Sequence, residues 1–354
     1  MRPLRYFFGY IFPIIAMLTL YLKGIALISL PIVAFVLIPL LETVLKGTEE
    51  NVNIEEIKEK RWAYDALIYG VVPLQIATFG YMIYLSAQGH FSGMEWAGAV
   101  FTVGICSGTF GINVAHELGH RKSWYEQRMS QVLLLTCLYM HFFIEHNRGH
   151  HARVATEEDA ASSRKGEWLY TFWFRSVTQS WLSAWELEAH RLRKEKTRYI
   201  TFKNQMFCFQ LVQLCSLTAV GYLAGAAGVL MFIASASVGF LLLETVNYIE
   251  HYGLSREKNA KGRYEKVRPH HSWNSNHSIG RVLLFELTRH SDHHAHPSRA
   301  YAELRYFEKS PQLPSGYPAM VLLALVPPLW FKIMDNHLEL ELARLAQISS
   351  SSAA

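Results

Sequence analysis

Long apolar runs alternate with short polar segments along this chain. Six of the runs, at 6–22, 25–45, 66–87, 94–115, 206–224 and 228–249, carry no charge at their centres. Each is close to the ~20 residues that a helix needs to cross about 30 Å of hydrocarbon. The pattern therefore predicts an all-α integral membrane protein with six transmembrane helices. Pro13, Pro31, Pro39 and Pro73 fall inside these runs; membrane helices tolerate proline because neighbouring groups re-satisfy the freed carbonyls. The first run follows Arg2 and Arg5 as a secretory signal would, yet no small-residue cleavage pattern follows it and Lys23 leads directly into the second run. A retained helical hairpin is expected.

Two further apolar stretches break the pattern. Residues 131–144 (QVLLLTCLYMHFFI) reach only about two-thirds of a spanning length, which predicts an interfacial or buried segment that does not cross. Residues 317–334 are interrupted by Pro318, Pro327 and Pro328 and are expected to lie on or dip into the bilayer, followed by a flexible tail ending in SSSAA.

Composition agrees with this picture: 51% of the residues are hydrophobic and only 18% charged, against roughly 25% in soluble domains. Positive charge fixes the expected orientation. The loops at Lys23, at 88–93 and at 225–227 are nearly free of Lys and Arg, whereas the N-terminus, the 46–62 loop and the long polar segments are basic. By the positive-inside rule the basic side is cytoplasmic, and the expected location is the cell inner membrane, with the active site on its cytoplasmic side. The expected organisation is then 1–115, with four spans and a cytoplasmic 46–62 loop; 116–205, a cytoplasmic catalytic segment; 206–250, two spans; 251–316, a second cytoplasmic catalytic segment; and 317–354, membrane-associated. Segment 116–205 holds 14 Lys/Arg against 10 Asp/Glu, and 251–316 holds 11 against 6. Such faces suit an acidic protein partner or anionic lipid, and nothing in the chain suggests nucleic acid. Cys106, Cys137, Cys208 and Cys215 form no CxxC pair and read as packed hydrophobes.

Histidine carries the chemistry. His116 and His120 (HELGH), His146, His150 and His151 (EHNRGHH), His251 (NYIEHYG), and His290, His293 and His294 (RHSDHH) all stand at or just beyond the ends of apolar runs. Spacings of three and four place imidazoles on one helix face, where they converge on a metal. A single HxxxH is weak as a signal; nine histidines in four groups, on one membrane face by this orientation, make a strong one. Imidazole suits Zn, Cu, Fe and Ni alike. Nine ligands exceed any single zinc site, which uses three or four, and fit a dinuclear redox centre. HELGH also matches HExxH, the zinc-binding helix of metalloproteases with Glu117 as base, but that reading leaves seven histidines without a role. The acids beside ligands, Glu117, Glu145, Glu250 and Asp292, with Asn247, are candidates to hold the far nitrogens of the imidazoles, Glu250 and Asp292 foremost.

HELGHR at His116, EHNRGHHARVATEEDAAS at Glu145, NYIEHYGL at Asn247 and LTRHSDHHAHPSRAY at Leu287 resemble the signature segments of the membrane alkane monooxygenases, the non-haem di-iron alkane hydroxylases related to membrane fatty-acid desaturases. The resemblance extends over nearly the whole chain. It implies two iron ions held by the nine histidines and hydroxylation of a terminal carbon, RH + O2 + 2 electrons + 2 protons giving a primary alcohol and water. It also implies rubredoxin as electron donor, fed by an NAD(P)H-dependent reductase, because the chain has neither a dinucleotide fingerprint nor paired CxxC motifs. The alkane would enter from the bilayer. A membrane di-iron hydroxylase or desaturase acting on an aromatic methyl or fatty acyl group is the alternative, and an intramembrane zinc protease the remote one. His270, His271 and His277 are expected in a loop and His90, His190 and His337 at the surface, while His141 and His296 receive no role.

Overall fold

The computed structural model describes residues 2–45 and 47–351, which are helical and contain no β-strand, only two isolated bridges. Helices long and apolar enough to span a bilayer are α1 (Pro3–Leu22), α2 (Gly24–Val44), α3 (Arg61–Ala87), α4 (Met94–Gly119) and α7 (Gln205–His251). Between the last two lie α5 (Trp124–Leu135) and α6 (Leu169–Lys194). The 47 residues of α7 are broken at Gly225, whose φ of 64° and ψ of −167° leave helical space. Glycine adopts this conformation without steric cost, and it divides α7 into 205–224 and 226–251, each long enough to cross.

The apolar stretch 131–144 is not one helix. It finishes α5, turns through Leu138 at φ 50°, and resumes in a single helical turn, Phe142–Glu145. After α8 (His290–Ala295), the stretch 317–334 divides at its prolines into α9 (Tyr317–Ala324) and α10 (Pro327–Ser351). The expected tail is therefore helical as far as Ser351, and 352–354 lie outside the described residues.

Two compact units share the chain. The first comprises Met1–Val33, Trp62–Gly149 and Thr178–Leu243. Its core is aliphatic and aromatic, with Leu20, Leu27, Met82, Val103, Met231 and Phe232 buried together and the Phe79 and Phe232 rings edge to face at 4.5 Å. Gly104 and Gly108 let α4 lie against α7: a Cβ on Gly108 would meet the Gly239 carbonyl at 2.8 Å. Small residues four apart are how membrane helices approach closely where no hydrophobic effect drives them together. A polar contact joins α3 to α4, where buried Gln75 donates to Ser107 at 2.6 Å.

The second unit comprises Ala34–Arg61, His150–Val177 and Glu244–Ala354. Its centre is polar. Fully buried Arg289 donates to the Leu304 carbonyl at 2.9 Å and the Glu50 carbonyl at 2.8 Å, and Arg281 pairs with Glu286 at 2.7 Å. Trp273 crosses the end of α7, its backbone N–H on the Glu250 carbonyl and its indole on the Tyr252 carbonyl. Asn274 then accepts the Ser291 N–H at 2.8 Å, fixing the start of α8. We expect Arg289→Met to lower the thermal midpoint of the detergent-solubilised protein, at a cost on the order of 3–5 kcal/mol for a broken buried ionic network. An unchanged midpoint would remove Arg289 as the organiser of this unit.

Candidate metal centre

In the first unit, His116 sits in the last turn of α4 and His120 caps it. A π-helical turn at Ser107–Gly111 precedes them and a second, His146–His150, follows the Phe142–Glu145 turn. Such widened turns re-aim side chains and recur at functional sites. Here they bring His146 Nε2 to 3.1 Å from His120 Nε2, and the His116 and His146 rings to 4.4 Å between centroids.

In the second unit, α8 presents His290, His293 and His294 on one face. His294 Nε2 stands 2.8 Å from His290 Nε2 and 3.2 Å from His150 Nε2; His290 Nε2 is 3.3 Å from His251 Nε2. The four rings are buried, and their ligand nitrogens lie within 4.8 Å of one another. His151 and His293 approach to 3.0 Å through their Nε2 atoms, with the His151 and His294 rings 4.5 Å apart between centroids.

These distances test whether a metal fits. Two nitrogens bound about 2.1 Å from one ion at right angles stand roughly 3 Å apart, which is the spacing of the Nε2 atoms here. One N–H···N bond explains a pair of imidazoles but not four Nε2 atoms facing a common point, since each Nε2 has a single proton or lone pair to offer. Burial, then the neighbouring imidazoles, hold His294 well below the ordinary imidazole range, which favours the neutral form that binds metal. The donor set fits a first-row transition metal, and the described residues supply imidazole, not thiolate, at this point.

Asp159 orients one ligand. It receives His150 Nδ1–H at 2.8 Å and Ser162 Oγ–H at 2.6 Å, so His150 turns a proton-free Nε2 towards the other three histidines. Burial alone would raise the Asp159 carboxyl; the His150 imidazole beside it, with the two hydrogen bonds, holds it at about 2. Among the candidates from sequence, Glu250 places Oε2 3.2 Å from His290 Nε2 while Oε1 accepts the Tyr317 hydroxyl at 2.7 Å. Asp292 is directed elsewhere. Its oxygens accept His296 at 2.7 Å, Arg299 at 2.6 Å and the Arg305 N–H at 2.8 Å, fastening the turn after α8 and no ligand. Glu117 pairs with Arg121 at 2.6 Å, Glu145 accepts from Ser183 at 3.4 Å, and Asn247 donates to Glu244 at 3.3 Å. Asp159, Ser162 and Tyr317 are the site neighbours that sequence reasoning passed over.

The remaining histidines stand apart. His270 and His271 approach Glu265, but His271 Nδ1 accepts the Arg268 N–H at 3.0 Å and Nε2 donates to Glu265 at 3.2 Å, so both nitrogens serve the loop. His277 meets Ser275, His337 donates to the Gln312 carbonyl, and His90 and His190 are exposed. His141 is buried beside Tyr139, and burial pushes it down to about 3.

The fatty acid desaturase family model matches residues 94–324, which contain all nine histidines. An alkane 1-monooxygenase of Acinetobacter baylyi is 38% identical over 317 residues, 89% of this chain and 78% of that protein. The chain belongs to the alkane 1-monooxygenase family. It is a multi-pass membrane protein and an oxidoreductase of the monooxygenase type. Alkane 1-monooxygenase 1 of Pseudomonas aeruginosa is 42% identical over 276 residues, 77% of this chain and 72% of its own length. A more distant relative, the hydroxylase component of a xylene/toluene monooxygenase from Pseudomonas putida, is 30% identical over 273 residues, 76% of this chain and 72% of that one.

Proposed function

We propose that this protein hydroxylates the terminal carbon of n-alkanes to primary alcohols with O2. In this reading His116, His120, His146, His150, His151, His251, His290, His293 and His294 hold two iron ions at the cytoplasmic face of the inner membrane, and rubredoxin supplies the electrons. The observation that carries it is the convergence of buried imidazoles, Nε2 atoms about 3 Å apart, around His251 at the end of the apolar helix α7. Bound iron supplies the reduction of O2 and the oxidation of an unactivated C–H bond, chemistry that side chains alone do not perform.

The chain's own residues do the rest. Asp159 fixes the tautomer and ring orientation of His150 and strengthens it as a donor. Glu250, its Oε1 accepting the Tyr317 hydroxyl, keeps Oε2 beside the His290 imidazole, where it would hold a proton at the edge of the metal-binding nitrogens. Burial of the ligands excludes water, and an apolar substrate reaches such a site from the bilayer without crossing the aqueous phase. The protease reading fits poorly because Glu117, its required base, is held by the Arg121 guanidinium. Oxidation of an aromatic methyl group is the second reading, favoured by the xylene/toluene relative.

Product analysis separates the two. Purified protein given rubredoxin, reductase, NADH and an equimolar mixture of octane and p-xylene should yield chiefly 1-octanol by gas chromatography. Predominance of the benzylic alcohol would select the second reading.

A further inference from the structure

From Thr178 onward α6 belongs to the first unit, and the side it buries there is mostly polar: Ser180, Ser183, Ala184 and Glu188. Three of these meet the segment that carries His146, in matching chain order. Ser180 Oγ lies 3.4 Å from His141 Nε2, Ser183 donates to Glu145 at 3.4 Å, and Glu188 Oε1 accepts Arg148 Nη1 at 2.6 Å. The first two contacts are long for hydrogen bonds, whereas the third is short and joins two full charges, the stronger kind. It closes on a fully buried carboxylate. Glu188 Oε1 also takes Arg191 Nε–H at 3.0 Å, and Oε2 takes Arg191 Nη2 at 2.8 Å and the backbone N–H of Gln205, which opens α7, at 2.8 Å. Four donors offset the cost of holding that charge away from water.

Arg148 stands inside the π-helical turn His146–His150, two residues after a candidate ligand. Its Nη2 donates to the Gln205 side-chain oxygen while Nη1 holds Glu188, so the guanidinium is fixed at two points and cannot swivel. A planar fork does this and an ammonium does not. Asn147 bonds within the turn, to the Phe143 carbonyl at 2.7 Å; Arg148 reaches out to α6 and α7. The winding matters because π-turns are rare and short, and a slip of one residue to ordinary α winding would rotate one end of the turn against the other by about 100°. His146 leaves little room for that: its ring stacks on Phe142 at 4.6 Å between centroids, and its Nε2 stands 3.1 Å from His120 Nε2.

We infer that Arg148, gripped by Glu188 and Gln205, is a positioning residue that holds this turn in the winding that aims His146 at the metal. The inference rests on the proposed function and names what sets one of its ligands. Arg148 touches neither metal nor substrate in this role; it acts through the backbone of the turn. Arg191 supplies the comparison within the molecule. It binds the same carboxylate with two nitrogens, but it lies on α6 itself, and its other bonds go to Glu195 and the Lys203 carbonyl rather than to the turn.

The test is metal release from the full-length protein in phosphatidylcholine nanodiscs, followed with a colorimetric chelator and read beside the thermal midpoint of the metal-free protein. Arg148→Met should release metal about tenfold faster than the wild type, with the metal-free midpoint unchanged. Arg148→Lys, which keeps the charge and one of the two grips, should recover part of that loss. Glu188→Gln should also speed release, but by much less in the Arg148→Met background than in the wild type, because the two act through one contact. Arg191→Met should release metal at the wild-type rate. The inference is overturned if Arg148→Met retains metal as the wild type does, if Arg191→Met releases it as fast as Arg148→Met, if the effects of Arg148→Met and Glu188→Gln multiply, or if the metal-free midpoint of Arg148→Met falls in step with release. Zinc instead of iron in the wild type would remove the proposed function, while the same release rates would still decide the role of Arg148.

Discussion

Replacing His251 with alanine should abolish alkane oxidation as completely as His150→Ala does. His251 is the lone histidine of its segment, with no partner three or four residues away, and by sequence alone it is the easiest of the nine to dismiss. Its position says otherwise. It ends α7, is fully buried, and directs Nε2 to 3.3 Å from His290 Nε2 within the same four-histidine group as His150 and His294. Losing one of four convergent donors opens a position to water and lowers affinity for the ion. Both variants should therefore show activity at background and reduced iron after purification. Near-normal turnover of His251→Ala with full iron would remove it from the ligand set.

Asp159→Asn should cost about 10–100-fold in activity or metal retention, the range found when the carboxylate behind a metal-binding histidine is lost. The asparagine keeps the volume and can still accept from His150 through its amide oxygen. It gives up the negative charge that strengthens the imidazole, and its NH2 can favour the wrong tautomer. Asp159→Ala should be worse, because Ser162 then loses its acceptor in a buried site. Chelator challenge measures the effect without turnover: the variant should lose iron faster than the wild type at equal chelator concentration. Wild-type rates of both iron loss and hydroxylation would show that Asp159 is only a packing residue.

The nine histidines stand out in the sequence because imidazole is rare, helical spacing is simple, and each group follows an apolar run. Their surroundings stand out less. Asp159 stands nine residues after His150 in a run of three acids, Glu157, Glu158 and Asp159, and only the fold shows that the last of them turns inwards. Tyr317 reaches Glu250 across 67 positions, beyond any local pattern. Asp292 illustrates the opposite error. It lies inside a ligand motif, but two residues along a helix from His290 it faces the other way, and the i to i+4 geometry hands it to His296. Adjacency to a ligand in sequence is thus a poor guide to contact with it, whereas periodicity would have separated Asp292 from the ligands. The span pattern was similarly readable, because twenty apolar residues have one main solution in a bilayer. The break in α7 at Gly225 needed the backbone to be seen, and so did the divided courses of 131–144 and 317–334.

Metal content combined with iron X-ray absorption is the most direct test of whether the histidines form a dinuclear iron centre. About two irons per chain are expected, each in a shell of nitrogen donors at about 2.1 Å, with both lost together in His294→Ala. One zinc per chain with no iron would contradict it and return HELGH to hydrolytic chemistry.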